Sequence, residues 1–154
     1  MEAMPPDSDV VYEWRGEFDN AEVNRLHADG FQHRLLDIDW RTELDSHSLG
    51  WVSARRYDEL VGFVNVAWDG GVHAFVLDTI VARSARRAGI GAELVARAGR
   101  RAGMAGCEWL HVDFENDLRG LLLRCLRVPG DQRRAHPALT RSHSSSLNAN
   151  PGAR

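Results

Sequence analysis

The sequence predicts one α+β domain built on a mixed β-sheet. Three strand-like runs in the centre of the 154-residue chain are separated by hairpin-length gaps, which predicts an antiparallel meander. A segment with helical periodicity follows the meander, and a further strand follows that segment. The order strand, helix, strand implies a parallel crossover, so the sheet is expected to end in a β-α-β unit.

The N-terminal part is predicted to hold the first strand and two helices. Residues 10–15 (VVYEWR) have the β-branched and aromatic content of a strand. Asp19 or Asn20 is a good N-cap for a helix that ends near Gly30. A second, irregular helix is predicted over residues 37–46.

The meander is predicted from three runs with two reversals between them. Residues 57–59 and 69–71 provide the reversals, through a turn-tolerant Asp and an Asp-Gly-Gly sequence. The three strands are expected over residues 50–56, 60–68 and 72–81.

Next comes a helix whose apolar residues recur at spacings of three and four. They are Ile90, Leu94, Val95, Ala98 and Ala102. This periodicity predicts a helix over residues 90–104, ended by Gly103 or Gly106. The strand that completes the β-α-β unit is expected over residues 109–114.

Composition limits the class of protein. No apolar run approaches the roughly 20 residues that cross a bilayer, so no membrane interaction is expected. The first ten residues are acidic and lack the regions of a secretory signal, which makes the cytoplasm the expected location. Cys107 and Cys125 form neither a disulfide framework nor a cluster with metal-ligand spacing, so we expect reduced thiols and no metal.

Charge is distributed unevenly along the chain. Residues 120–154 contain six Arg and one Asp, so about eight net negative charges remain in residues 1–119. An acidic domain argues against nucleic acid as a partner, because phosphates need a basic surface. It favours a cationic substrate such as an amine, although a merely solvated acidic surface explains the charge equally well.

The segment with the most chemical information is the turn between the last meander strand and the helix, Arg86-Arg87-Ala88-Gly89-Ile90-Gly91. A helix N-terminus presents unpaired N–H groups and partial positive charge, so such a turn can bind a diphosphate. Gly89 and Gly91 would let phosphate oxygens approach the backbone. The alternative is that the two glycines are present for purely steric reasons. The turn matches neither a Walker loop nor a Rossmann loop.

This turn resembles the Arg/Gln-x-x-Gly-x-Gly/Ala pyrophosphate loop of the GNAT acetyltransferases. The element order matches over about residues 10–118, and residues 49–91 are similar to uncharacterised bacterial members. The resemblance implies splayed strands and a bulge in the strand before the loop, whose backbone pairs with the pantetheine arm of acetyl-coenzyme A as cosubstrate. It implies pantetheine contacts at Ile80 and Val81, and pyrophosphate contacts at Arg86, Arg87, Ala88, Gly89, Ile90 and Gly91.

The implied reaction is transfer of an acetyl group to an amine, which needs a base for the ammonium and stabilisation of an oxyanion. Asp78 is the first candidate for the base, and a carboxylate held by a neighbouring element is the alternative. His111, Asp113 and Glu115 alternate on one face of the next strand and are further candidates.

An acceptor wall is expected before the meander. Trp40, Trp51 and Trp68 are candidates for an acceptor pocket, with core packing as the alternative. Asp37, Asp39, Glu43 and Asp45 could attract a cationic amine, with a solvated face as the alternative. His73 is expected to be a cross-strand packing residue.

The resemblance breaks near Gly120. GNAT proteins commonly continue with a helix carrying Phe-Tyr and Gly-Phe and with two last strands, whereas residues 120–154 have the composition of a disordered tail. Codons that encode residues 120–140 can be chosen so that the next frame reads FYFDACGFRGTSAGLIPR and stops, which indicates a frameshift. We therefore divide the chain into a GNAT domain at 1–119 and an aberrant tail at 120–154.

Loss of the C-terminal helix and hairpin, and of a general-acid Tyr, is expected to reduce stability and activity. An exposed sheet edge can pair with the edge of another chain, and a homodimer is one assembly that would result. The sequence favours an N-acetyltransferase acting on a small-molecule or peptide amine. A non-catalytic acyl-coenzyme A binding module or inactive remnant, and a protein-interaction domain with this fold, remain alternatives.

Overall fold

The computed structural model of the protein describes residues 9–112 and 135–137. The strands are β1 (Val10–Trp14), β2 (Ser48–Arg56), β3 (Glu59–Trp68), β4 (His73–Val81), β5 (Trp109–Val112) and β6 (Ala135–Pro137). The helices are α1 (Asn20–Phe31), α2 (Trp40–His47) and α3 (Ile90–Met104), with a 3₁₀ turn at Arg83–Ala85. The predicted α+β class is confirmed, and α3 has the predicted bounds.

The strands form one sheet in chain order. Strands β1 to β4 pair antiparallel with their neighbours, and β5 pairs parallel with β4. This is the predicted meander followed by a parallel crossover through α3. The first predicted turn, Tyr57-Asp58-Glu59, is shorter than expected because β3 already begins at Glu59.

Strand β6 corrects one expectation. We expected no strand after residue 118 and an unpaired edge on β5, but Ala135–Pro137 pairs parallel with Leu110–Val112. The edge of β5 is therefore covered over this length. The remainder of the predicted tail, and the proposed frameshift site at Gly120, lie outside the described residues.

A β-bulge interrupts the pairing of β3 with β4. Phe63 pairs with Ile80 and Asn65 pairs with Leu77, so the single residue Val64 faces both Asp78 and Thr79. Asp78 takes a positive φ of 52°, a conformation that Asp tolerates better than most residues. The bulge that the family resemblance implied is therefore present, and it bends β4 beside Asp78.

Helices cover both faces of the sheet. On one face α3 packs with its buried residues Ile90, Leu94, Val95, Ala98 and Ala102 on β2, β3 and β4. On the other face α1 and α2 cover a second cluster that contains Phe63 and Ile80. No helix in the described part of the chain is both long and apolar enough to span a membrane.

A capping box fixes the start of α1. Asp19 is the N-cap, and the Glu22 side chain accepts a hydrogen bond from the Asp19 backbone N–H at 3.1 Å. The buried Asn24 side chain then donates to the Ile38 carbonyl at 2.9 Å and accepts from the Ile38 N–H at 3.2 Å. Asn24 therefore ties the α1–α2 connection to α1.

Candidate active site

The turn between β4 and α3 has two residues in the left-handed region. Arg87 has a φ of 65° and Gly89, the N-cap of α3, has a φ of 77°. Gly89 adopts this conformation without a steric penalty, whereas Arg87 is strained by it. Such strain persists only where the surroundings determine it, and it is concentrated at functional sites.

Beyond Gly89, the first turn of α3 presents its backbone amides to the outside of the turn. The Glu93 N–H makes the first helical hydrogen bond, to the Gly89 carbonyl at 3.1 Å, so the amides of Ile90 and Gly91 have no partner within the helix. The side chain of Ile90 is 1% exposed and packs in the core. Any group bound at this point would meet backbone N–H donors and the positive end of the helix.

Gly91 leaves room for a side chain within the protein itself. A Cβ at this position would lie 3.6 Å from Val81 Cγ2, which is an ordinary contact. Packing within the described protein therefore does not require glycine there. Glycine is expected at this position only because a side chain would block the approach of an external group to the backbone.

Arg86 has a structural contact that the sequence did not predict. Its Nε donates to the Val81 carbonyl at 3.3 Å and its Nη2 donates to the Gly30 carbonyl at 3.2 Å. Arg86 therefore joins the end of β4 to the last turn of α1. Both arginines of the turn are exposed, and Arg86 is the one tied to these two carbonyls.

Pairing between β4 and β5 is described only up to a point just before the site. Pairing between the two strands covers only His73–Val76 with Trp109–Val112. Among the described residues, nothing pairs with the β5-facing edge of β4 from Leu77 onward. The Ile80 side chain is 3% exposed and packs beneath α1, so an external group could reach this residue only along its backbone.

Asp78 lies in this unpaired part of β4, at the bulge. Its Oδ1 is 3.3 Å from His27 Nε2 of α1, and the two side chains are 26% and 16% exposed. Asp78 is accessible enough to meet a ligand and is also held by a partner. The structure shows the held carboxylate that the sequence posed as the alternative, and the role of Asp78 as base stays a prediction.

The contacts of Asp78 continue through two histidines that the sequence did not single out. His27 Nδ1 lies 2.7 Å from His33 Nε2, and His33 Nδ1 lies 2.6 Å from the Arg34 carbonyl oxygen. Both histidines are remote from Asp78 in the chain, His27 by 51 positions. No motif in the sequence connects them.

The other histidine candidate lies on a different part of the sheet. His111 Nε2 is 2.8 Å from His73 Nδ1, and its ring stacks on Phe75 with centroids 4.6 Å apart. The prediction that His73 is a cross-strand packing residue is confirmed, since its ring also stacks on Trp109. Asp113 and Glu115 lie outside the described residues.

The candidates for the acceptor wall divide between core and surface. Trp40 and Trp51 are 2% and 3% exposed and belong to the core, whereas Trp68 is 38% exposed. Asp39 is the N-cap of α2, and hydrogen bonds from Thr42 hold the pKa of its carboxyl below the ordinary value. The remaining acidic candidates, which are Asp37, Glu43 and Asp45, are exposed.

Cys107 is a free, buried thiol whose pKa is raised by burial. Cys125 lies outside the described residues. Within residues 9–112 and 135–137, no group of three or more His, Cys, Asp or Glu side chains could hold a metal ion.

A mixed sheet whose bulged fourth strand leads through a strained turn into a helix N-terminus is the architecture of an acyl-transferring domain. The model of the acetyltransferase (GNAT) family matches residues 9–121. The chain therefore belongs to the GNAT family of acetyltransferases, which use acyl-coenzyme A. Among curated protein sequences, none matches this chain.

Solved structures share the fold at low sequence identity. A GNAT family acetyltransferase from Streptococcus pneumoniae is 22% identical, with a TM-score of 0.58 over 72% of this chain and 80% of that one. An acetyltransferase from Bacillus subtilis in complex with CoA is 21% identical, with a TM-score of 0.60 over 75% and 74%. An aminoglycoside acetyltransferase from an uncultured soil metagenomic sample, in complex with sisomicin, is 18% identical, with a TM-score of 0.62 over 88% and 98%.

Proposed function

We propose that the protein is an N-acetyltransferase that moves the acetyl group of acetyl-coenzyme A to the amine of a small molecule or peptide. One observation carries the proposal: the bulged strand β4 leads, through a turn with two residues in the left-handed region, to amides at the start of α3 that have no partner within the helix. An extended thioester arm and a diphosphate have matching polar groups in that order. The complex of the Bacillus subtilis relative with CoA supports the choice of ligand class.

The donor would be held mainly by the backbone. The backbones of Ile80 and Val81 would pair with the amides of the pantetheine arm, because their β5-facing edge is open in the described structure. The turn from Ala88 to Gly91 would hold the pyrophosphate through its N–H groups. Arg87 would add a positive charge, whereas Arg86 would fix the turn against α1.

In the transfer itself, Asp78 would accept the proton of the substrate ammonium. The freed amine then attacks the thioester carbonyl carbon, and the carbon–sulfur bond breaks as the amide forms. The backbone N–H groups beside the bulge are the nearest candidates to stabilise the oxyanion. Asp78 suits the role of base because it stands at the bulge of β4 with its side chain 26% exposed.

The acceptor is proposed to be cationic before it reacts. The exposed side chains of Asp37, Glu43 and Asp45 lie on or beside α2, next to the helix that contributes His27. An aminoglycoside is the acceptor class of one structural relative, and aminoglycosides are polyamines. We propose the cytoplasm as the location, since acetyl-coenzyme A is made and consumed inside cells.

The first experiment titrates acetyl-coenzyme A into the full chain and follows heat and the unfolding midpoint, because a ligand selective for the folded state raises that midpoint. Arg87→Ala should weaken binding about tenfold or more without changing the stability of the free protein. Gly89→Glu should abolish binding. Arg25→Ala removes an exposed arginine of α1 and is the matched control.

The second experiment separates an enzyme from a binding module. Release of free coenzyme A thiol is measured with a panel of amines that includes sisomicin and short lysine peptides. Acceptor-dependent release that Asp78→Asn lowers supports the acetyltransferase. Saturable donor binding without release on any amine would favour the non-catalytic module, and a folded chain that binds no donor would refute both.

A further inference from the structure

Asp78 is one end of a continuous chain of polar contacts that reaches the surface. The chain passes from Asp78 Oδ1 to His27 Nε2 at 3.3 Å and from His27 Nδ1 to His33 Nε2 at 2.7 Å. It ends where His33 Nδ1 meets the Arg34 carbonyl oxygen at 2.6 Å. Both nitrogens of both rings are used, so the chain has three contacts in series.

The three contacts require three protons, one for each hydrogen bond. The Arg34 carbonyl and the ionised Asp78 carboxylate can only accept, and each neutral imidazole supplies one N–H group. Two neutral rings therefore provide two protons for three contacts. One further proton completes the chain, whether it is formally on Asp78, His27 or His33.

The surroundings keep the rings in this arrangement. The His27 ring packs against Trp40 and Phe31, with centroids 5.3 and 4.7 Å away, and its side chain is 16% exposed. The charged groups beside these contacts are Arg34, which follows His33 and is exposed, and Asp29, which pairs with Arg83 at 3.6 Å. Asp78 is the carboxyl group at the end of these contacts, and His27 is the ring that contacts it.

We propose that His27 and His33 form a proton relay that carries the proton taken up by Asp78 to the protein surface. The inference rests on the proposed function, since it assigns the route by which the base of that reaction is regenerated. In this scheme Asp78 is the catalytic base, and the two histidines are positioning residues that act through it.

Each step moves one proton along a contact that already exists. The ammonium N–H proton passes to the Asp78 carboxylate and then to His27 Nε2, while the proton on His27 Nδ1 passes to His33 Nε2. His33 is then an imidazolium, and its half-exposed ring loses the Nδ1 proton to water. Both rings are left as the opposite tautomer, and proton exchange with solvent restores the starting tautomers before the next turnover. The net change is an ammonium proton delivered to solvent, with Asp78 ionised again.

The first test is independent of activity. Nitrogen-15 NMR of histidine-labelled protein reports the protonation of each ring nitrogen during a pH titration. We expect the ring-nitrogen signals of His27 and His33 to change together with pH, and Asp78→Asn to alter that change in both rings. An asparagine amide can donate to His27 Nε2, so the chain is then complete without the extra proton.

The exposed His47 is the internal reference for this titration. If the signals of His27 and His33 change independently of each other, and Asp78→Asn leaves them unchanged, the relay is refuted. This result would count against the relay even in an active enzyme.

The second test uses His33→Gln. The glutamine oxygen can still accept from His27 Nδ1–H, but it cannot pass a proton onward. We expect acceptor-dependent thiol release to fall roughly tenfold or more in kcat, with unchanged donor binding and an unchanged unfolding midpoint. Added imidazole should restore part of the rate in the variant and not in the wild type.

His47→Gln, which removes a histidine outside the relay, should retain the wild-type rate. A His33→Gln variant that keeps full activity would overturn the relay while leaving the acetyltransferase intact. Absence of thiol release from the wild type would overturn the proposed function, and the NMR titration would still decide whether the relay exists.

Discussion

Arg55 donates to both carboxylate oxygens of Glu22, at 3.1 and 2.8 Å, and so joins β2 to the first turn of α1. The same guanidinium also reaches the Glu17 and Asp58 carbonyls, and both side chains of the pair are about one quarter exposed. A bidentate, partly buried pair of this kind is stronger than an exposed one. The hydrogen bond from Arg55 holds the pKa of Glu22 below its ordinary value.

This pair gives a stability that depends on pH with a defined sign. A carboxyl whose pKa is lower in the folded state stabilises the protein above its unfolded pKa, about 4.3 for Glu, and loses that contribution as the pH falls through the folded value. Glu22→Gln should cost about 1 kcal/mol at pH 7, and this cost should shrink as the pH falls through the folded-state pKa of Glu22. Urea denaturation at several pH values measures the difference.

Glu17→Gln is the matched control for that experiment. Glu17 pairs with Arg41 at 3.2 Å, but its side chain is 94% exposed. We expect its replacement to leave the free energy of unfolding nearly unchanged at every pH. An equal loss in both variants would show that the bidentate geometry at Glu22 adds nothing.

The two glycines of the α3 turn should respond differently to the same substitution. Gly89 has a φ of 77°, so Gly89→Ala should destabilise the protein by about 1–2 kcal/mol. Gly91 lies in the first helical turn with room for a Cβ, so Gly91→Ala should stabilise it by about 0.5–1 kcal/mol. Thermal and urea unfolding of both variants without ligand test this contrast. Equal effects would mean that Gly89 relaxes out of the left-handed region.

Much of this fold could be predicted from sequence because its elements carry a local signal. The five apolar residues of α3 repeat at helical spacing, and α3 has the expected bounds. The bulge at Asp78 came from the family resemblance and not from a local pattern. Strand β6 was not predicted, since Ala-His-Pro is too short to show any period and follows a stretch without one.

The candidate site was predictable only in part, for the same reason. The turn from Arg86 to Gly91 is contiguous in sequence, so its composition alone predicts a pyrophosphate site there. His27 and His33 approach Asp78 only because α1 packs across β4, and pattern within a single segment contains no information about that packing. The role of Arg86 was likewise hidden, since its partner at Gly30 lies 56 positions away.

The α1–α2 connection that carries His33 should depend on Asn24. This side chain is 4% exposed and bonds the Ile38 N–H, the Ile38 carbonyl and the Trp40 indole N–H. Asn24→Leu leaves three polar groups without their partner, and we expect a loss of about 2–4 kcal/mol. Chemical denaturation measures the loss, and hydrogen exchange should increase at the Ile38 amide.

Asn20→Ala is the comparison for that variant. Asn20 also links α1 to α2, through Asp39 and the Arg41 N–H, but its bond to Asp39 is exposed. We expect a smaller loss of about 1 kcal/mol, since water can replace the amide. If the two variants lose equal stability, the burial of Asn24 does not explain how much its hydrogen bonds contribute to the free energy of unfolding.

The contact of α1 with β4, on which the site depends, is set by Gly30 and Ile80. The Ile80 side chain, through its Cγ2 methyl, occupies the place that a Cβ on Gly30 would need. That methyl is attached to a branched carbon with a restricted rotamer, and the residue is 3% exposed, so it cannot move aside cheaply. Gly30→Ala should therefore cost about 1–3 kcal/mol, although alanine is the better helix former.

A double-mutant cycle isolates this contact. Ile80→Ala removes the obstructing methyl and costs about 2–5 kcal/mol by itself. In that background Gly30→Ala should stabilise the protein by up to about 1 kcal/mol, because only the helix preference of alanine remains. A cost that persists in the double variant would place the obstruction elsewhere on α1. Helix α1 also carries His27. Gly30→Ala in the wild-type background should therefore weaken the contact between His27 and Asp78, and the same histidine NMR titration would detect this change.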